Sequence, residues 1–482
     1  MLFSTPVFLF GFLPIVLLLY GLMPKRFSNT VLLSASLLFY AYGAKEVVLA
    51  MLGSITVNWL LGLSIANHLG TARARLGVAL AVSFNLGMLV YFKYTNFLVE
   101  NVNALAESLG AEPWDVAYVL LPIGISFFSF QAMSYVIDVA RGDAPPQRNP
   151  VDFALYIALF PQLIAGPIVR YADIARQLGE RRVTAPGFAE GVRRFLIGLG
   201  KKMLLANTVA QVSDELFALP ASSLSTSLAW LAVLCYSLQI YFDFSGYSDM
   251  AIGLGHMFGF RFLENFNYPY IARSITEFWR RWHMSLSSWF RDYLYIPLGG
   301  NRGSRGATLR NLMLVFLLCG LWHGASWSFV VWGLFHGSFL VIERVALSAQ
   351  LARLPRALRH VYTLLVVMVG WTFFRAETLE QALTLLGAMA GFARAPDPSL
   401  SVALSTDALL LWTLGAAILG CVPWLPRVRT WLAQPTSRNG APSAGLRAAL
   451  ATGGTLALLV VFLGCAMFMA AGTHNPFIYF RF

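Results

Sequence analysis

The stretch Leu450-Ala-Thr-Gly-Gly-Thr-Leu-Ala-Leu-Leu-Val-Val-Phe-Leu-Gly-Cys-Ala-Met-Phe-Met-Ala470 runs for 21 residues without a charged side chain. As a helix it is about 30 Å long, the thickness of a bilayer's hydrocarbon core. Further apolar runs occupy Val7 to Tyr20, the stretch ending near Ala66 and the stretch before Tyr91. Across the chain 57% of residues are hydrophobic and 12% charged, against about a quarter charged in a soluble domain. In hydrocarbon every backbone polar group must be paired inside the protein, which leaves helices or a closed barrel. The ten-residue alternation of a barrel is absent. The sequence therefore predicts an all-α polytopic membrane protein forming a single membrane-embedded domain over residues 1–482.

Phe3 to Leu22 reads as the first membrane helix rather than a cleaved signal, because no basic residue precedes it and apolar segments continue past Lys25 and Arg26. The net charge of +12 would favour nucleic acid in a soluble protein. Here the basic residues gather between apolar runs, as short cytoplasmic loops require, so no nucleic-acid partner is expected. Lys25 with Arg26, and Arg73 with Arg75, mark two such loops, with a hairpin between them turning near Gly43 to Glu46. Both termini then lie outside, and an acidic outer loop carries Glu100, Glu107, Glu112 and Asp115. The most basic stretch, from Arg170 to Lys202, reads as cytoplasmic, as does Arg427 to Arg438. Phe153 to Val169 is expected to be broken or re-entrant, because Pro161 and Gly166-Pro167 interrupt a helix ladder. Irregular backbone at that depth must line a cavity or be packed in protein. The expected total is about 11–13 helices, including broken elements around a central cavity.

Cys235, Cys319, Cys421 and Cys465 lie in or beside apolar runs and read as small core residues. Asp243 and Asp249 are acids at or near membrane depth, serving either helix-to-helix bonding or an aqueous path. No metal site is expected, since His-x-x-x-His is absent and the seven histidines are scattered.

Ser274 to Tyr293 is helical by period and too polar to span. Ile275, Phe278, Trp279, Trp282, Leu286, Trp289 and Tyr293 share one face, and Thr276, Arg280, His283, Ser287 and Arg291 the other. Such a helix lies at the membrane interface, with Ser274 and Glu277 able to form a capping box. It either anchors the chain, or turns Arg280, Arg281 and Arg291 toward an anionic substrate. His323, in Leu321-Trp-His-Gly-Ala325, falls about 20 Å of helix beyond Arg310, and His336 is also deep. Each is a structural histidine or a functional one. A buried neutral imidazole can relay a proton between an attacking alcohol and a leaving group, and Gly324 beside His323 leaves room for a substrate.

Several runs carry a family resemblance: Leu121-Pro-Ile-Gly-Ile-Ser-Phe-Phe128, Pro161-Gln-Leu-Ile-Ala-Gly-Pro167, Tyr241-Phe-Asp-Phe-Ser-Gly-Tyr-Ser-Asp249, Phe278 to Gly300, Leu321-Trp-His-Gly324 and Asn475-Pro-Phe-Ile-Tyr-Phe-Arg-Phe482. Together, and in this order, they resemble the membrane-bound O-acyltransferase (MBOAT) family. The resemblance implies a multihelix MBOAT fold with a cavity through a thin centre, the essential histidine at His323 and a second functional position at His283. It implies transfer of acetyl groups from cytoplasmic acetyl-coenzyme A, with no permanently bound cofactor, onto an exported polysaccharide such as alginate. Peptidoglycan and cellulose are alternative acceptors, and a transporter or a secretion scaffold are rival functions. A multi-pass protein of the bacterial inner membrane is implied, in contact with membrane lipid, an exopolysaccharide assembly complex and a periplasmic SGNH-type esterase-like partner. Arg280, Arg281 and Arg291 are the expected contacts to the donor's phosphates.

Overall fold

Two pairs of glycines set the centre of the molecule. Gly246 and Gly253 lie on the 32-residue helix Thr226–Met257, and a methyl group on either would strike the backbone of Gly198 or Gly191 on the neighbouring helix within 2.8 Å. Only a missing side chain permits that approach, the usual way helices pack where lipid offers no hydrophobic drive. The computed structural model describes residues 1–43, 47–392, 401–403, 405–432 and 443–476, and it is all helical among them. The expected turn at residues 44–46, residues 433–438 of the expected cytoplasmic loop and residues 477–482 of the terminal motif lie outside the described residues.

Seven described helices are long and apolar enough to cross a membrane: Val48–Asn67, Ala72–Ser108, Thr226–Met257, Arg305–His323, Trp327–Arg353, Arg356–Arg375 and Gly445–Ala470. Shorter or interrupted elements, including Val7–Leu22, Ser28–Gly43 and Ile125–Arg141, account for the larger number read from apolar runs. Thr226–Met257 is the hub, mostly buried in protein, whereas Gly445–Ala470 is almost wholly open to lipid. On the first helix, Phe8 and Phe12 are buried against Phe39 and Phe160. Ser4 and Asn475 are hydrogen-bonded to each other, which brings these two residues together.

The break expected between Phe153 and Val169 is present. Helix Pro150–Ala158 stops, a short turn Phe160–Leu163 follows, and irregular backbone leads to Tyr171, with every residue from Leu155 to Val169 buried. Side chains replace the lost ladder. Phe160 N–H donates to Ser36 Oγ (3.1 Å), Ile168 N–H donates to Ser285 Oγ (3.0 Å), and the Tyr156 hydroxyl donates to the Val169 carbonyl (3.1 Å). Satisfying those groups is the condition for irregular backbone at this depth.

Two expectations need correction. The basic stretch ending at Lys202 is not all loop: residues 185–217 form one helix with a π-helical turn at Lys201–Ala206. Its cations neutralise the two acids of the hub. Lys202 pairs with Asp243 at 2.9 Å, both almost fully buried, while Asp249 takes Lys201 at 2.6 Å and Arg194 at 2.7 Å. Asp243 and Asp249 thus join helices.

Ser274 to Tyr293 is not one interfacial helix. It divides into Ile275–Trp279, Met284–Phe290 and a π-helical turn Arg291–Tyr295, with His283 at φ 43° between the first two. Non-local bonds override the local period. Asn267 N–H donates to the Arg281 carbonyl and Met284 N–H to the Asn265 carbonyl, both at 2.9 Å. Ser274 Oγ does accept the Glu277 N–H as a cap, and the buried Glu343 carboxylate accepts the N–H groups of Ile275 and Thr276. The aromatic face packs within the protein: Trp289 stacks on Phe130 at 3.7 Å and Trp282 on Phe278 at 5.5 Å.

Replacing Lys202 with Met takes a cation away from the buried Asp243 carboxylate and is expected to cost about 3–5 kcal/mol, read as loss of monodisperse protein in detergent. The double variant K202M/D243N removes both charges and should recover most of it. Equal behaviour of the two variants would show that the pair does not hold these helices.

Candidate active site

His323 is the last residue of helix Arg305–His323, which ends at Gly324 and returns as the helix beginning at Trp327. Its ring is buried and lies edge-on to Trp322, Trp332 and Phe374, with centroids 5.0–5.1 Å away. It lines a cavity of about 230 Å³ with Trp322, Lys93, Ile164 and the consecutive residues Leu121 to Phe127. That run is held by Gly124, whose φ of 76° starts helix Ile125–Arg141 and whose missing side chain lets the Leu163 carbonyl approach. Three of the motifs read from the sequence therefore meet here: residues 121–128, residues 161–167 through Ile164, and residues 321–324. Gly324 serves a different purpose from the one expected: a methyl group there would lie 2.1 Å from the Phe329 ring, so the space admits a side chain rather than a substrate.

His283 reaches the same neighbourhood, its ring 6.1 Å from that of Trp322 and 4.7 Å from Phe244. Its left-handed backbone turns it inward, away from the face it would have shared with Arg280. The Asn265 carboxamide fixes its protonation. Asn265 Oδ1 accepts the backbone N–H of Ser285 at 3.3 Å and the Ser285 hydroxyl at 2.9 Å. A backbone N–H can only donate, so the amide presents its oxygen, and His283 Nδ1, 3.0 Å from that oxygen, must carry the proton. Nε2 is left with the lone pair. Burial pushes this imidazole down to about 3 from its ordinary value, so the ring is neutral near pH 7.

Three buried polar atoms around Trp322 have no hydrogen-bond partner: His283 Nε2, Trp322 Nε1 and His323 Nδ1. Each orphan of this kind costs about 1–3 kcal/mol, and such a cluster demands an explanation. Trp322 and His323 line the cavity, and His283 lies behind Trp322 without lining it. Together they supply one acceptor with a fixed lone pair, one donor and a second imidazole, the equipment for binding a polar group and moving its proton.

Lys93 is the residue that apolar-run reading missed. It lies in a π-helical turn, Val90–Tyr94, of the continuous helix Ala72–Ser108. Its ammonium donates to the carbonyls of Trp322 and His323, the latter at 2.9 Å, and the Tyr94 hydroxyl donates to the Leu321 carbonyl. Two neighbouring side chains thus hold three successive carbonyls at the end of the His323 helix, where a cation also complements the helix dipole. A lysine between Phe92 and Tyr94 in a continuing helical pattern was the available signal. Asn265 offered none, since its role depends on residues about twenty positions away.

The remaining candidates lie apart. His336 is fully buried, with Trp279 and Trp332 edge-on at 5.1 and 5.2 Å and Gly370 against its ring, and it does not line the cavity. Arg281 pairs with Glu277 at 3.0 Å and Arg291 with Asp292 at 2.6 Å, while Arg280 is exposed. None of these arginines borders the His323 cavity.

Residues 123–376 match the model of the MBOAT, membrane-bound O-acyltransferase, family. The chain is 46% identical to the probable alginate O-acetylase AlgI of Azotobacter vinelandii, with the whole of both chains covered. It is 43% identical to the protein of the same name in Pseudomonas aeruginosa, again over the whole of both. The peptidoglycan O-acetyltransferase of Helicobacter pylori is 38% identical, over 81% of this chain and 80% of that one.

Solid-state NMR on histidine-labelled protein is expected to find His283 protonated at Nδ1 and bare at Nε2 across about pH 5–8, because its depressed pKa keeps it neutral throughout. A protonation midpoint near the ordinary value of about 6.5 would contradict the site as described. Asn265→Ala should cost about 1–3 kcal/mol of stability and release the tautomer.

Proposed function

The chain belongs to the membrane-bound O-acyltransferase family, and from that premise we propose that it moves acetyl groups from cytoplasmic acetyl-coenzyme A onto an exported polysaccharide, alginate in the first instance. It is a multi-pass membrane enzyme, placed in the bacterial inner membrane. The observation that carries the chemistry is the cluster of partnerless polar atoms around Trp322, beside the cavity that His323 lines.

The reaction joins an acceptor hydroxyl oxygen to the acetyl carbon and breaks that carbon's bond to sulfur. His323, the catalytic residue in this reading, takes the hydroxyl proton as the C–O bond forms and returns it to the departing thiolate. His283, limited to accepting by its tautomer, orients the hydroxyl through Nε2. The Trp322 indole N–H and the Lys93 ammonium are the donors nearest the oxygen on which charge builds, and donors placed in advance in a water-poor site lower that barrier. Lys93 also acts as a positioning residue, through the carbonyls it holds.

The cavity's Leu121 to Gly124 wall follows the acidic outer loop, so the acceptor arrives from the exterior. Alginate is favoured over peptidoglycan because the alginate O-acetylases of Azotobacter vinelandii and Pseudomonas aeruginosa align over their whole length and at higher identity than the peptidoglycan enzyme. A periplasmic SGNH-type protein completing the transfer, and an assembly complex around it, belong to the same proposal. Arg280, Arg281 and Arg291 remain its candidates for drawing the donor's phosphates to the membrane, with exposed Arg280 first because Glu277 and Asp292 hold the other two.

With protein in lipid nanodiscs and acetyl-labelled coenzyme A, His323→Ala should lower turnover by about 10²–10⁴-fold while elution and melting stay unchanged. His283→Ala should lower turnover as well. Wild-type turnover by H323A would remove His323 as the base.

A further inference from the structure

A second and larger cavity, of about 730 Å³, lies at the end of the molecule that loop charge assigns to the cytoplasm. Lys25, Arg26, Arg181 and Arg182 border it, against one lining carboxylate, Asp152, which already accepts from Asn29 Nδ2 at 2.6 Å. The first turns of two helices, Ser28–Gly43 and Pro150–Ala158, also open onto it through Ser28, Asn29 and Val151. Asn149 Oδ1 already accepts the Val151 N–H and the Lys25 carbonyl the Ser28 N–H, so these turns contribute a positive dipole end rather than free donors.

Arg181 is the built part of this site. Its Nε donates to the Tyr20 hydroxyl and the Phe258 carbonyl, both at 3.2 Å, and its Nη1 to the Leu178 carbonyl at 3.0 Å. The guanidinium lies over the Phe260 ring at 4.3 Å. These contacts hold the group flat and rigid, while Nη2 is buried with no hydrogen-bond partner. A topological bias toward positive cytoplasmic loops requires basic residues on that side. It does not require them to converge on a cavity, nor one of them to be clamped by backbone carbonyls with a donor left over.

We propose that this cavity binds a phosphate-bearing ligand presented on the cytoplasmic side, either the headgroup of an anionic phospholipid or the phosphates of a soluble donor. A planar guanidinium with a free N–H, flanked by flexible cations, matches phosphate oxygens. The volume is in the range of small-ligand sites. The donor alternative rests on the acetyl-transfer reading, whereas the lipid alternative does not.

The test uses the full chain in an H323A background, so that binding is read without turnover and its failure is distinct from failure of the catalytic reading. Native mass spectrometry measures retention of phosphatidylglycerol against phosphatidylcholine, and titration measures affinity for coenzyme A. The triple variant K25Q/R26Q/R182Q changes only exposed side chains and should melt like its parent. It is expected to weaken at least one probe about tenfold or more, equivalent to about 1.4 kcal/mol. R181K, which keeps the charge but loses the fork, should weaken the same probe. Loss of phosphatidylglycerol identifies a headgroup site, and loss of coenzyme A identifies a donor site. No preference for either probe in the parent, or parental binding of both in the triple variant, overturns the proposal.

Discussion

A polar atom at membrane depth needs a partner from the protein, because the surrounding hydrocarbon offers none. In two buried irregular segments among the described residues, distant groups complete the hydrogen bonds. Ser36, Tyr156 and Ser285 do so for the broken stretch around Pro161. Asn265 and Asn267 do so for the break before Met284. Ser285 belongs to both sets, since its hydroxyl accepts from Ile168 and donates to Asn265. The two breaks are thereby one construction, and its product is the placement of His283 beside Trp322.

The scaffold around that construction is comparatively plain. Glycine pairs bring the hub and its neighbour into backbone contact, and buried ion pairs lock them in register. On the other side, the Asn58 and Asn85 amides bond across two helices at 2.8 Å. Orphaned ring nitrogens occur at His283, Trp322 and His323 and also at Trp279, Trp332 and His336. What distinguishes Trp322 and His323 among them is that they border the cavity.

The all-helical membrane architecture was legible because apolar length is a local property, and the break at Pro161 because proline and glycine act on their own neighbours. The break at His283 was illegible for the opposite reason. Ser274 to Tyr293 keeps a faultless helical period, and only bonds to a segment distant in sequence interrupt it. Reading that period as a face grouped His283 with Arg280 and Arg291, which the structure separates. Lys93 was lost to the habit of ending a span at the first charge, and Gly324 was read as open space because a sequence does not reveal that Phe329 fills it. His323 was singled out by its depth in an apolar run and His283 by its place on a polar helical face, and the family resemblance supplied the roles expected of them. What the sequence withheld was the network that gives His283 a single tautomer.

In the proposed reaction one buried imidazole is reached by a thioester from inside and by a hydroxyl from outside. The most direct test places the purified protein in sealed vesicles in a single orientation, with labelled acetyl-coenzyme A on the cytoplasmic face and a hydroxyl acceptor on the other. The account predicts labelled acetyl ester on the acceptor while coenzyme A stays in its own compartment. Ester formation only when donor and acceptor share a compartment would contradict it.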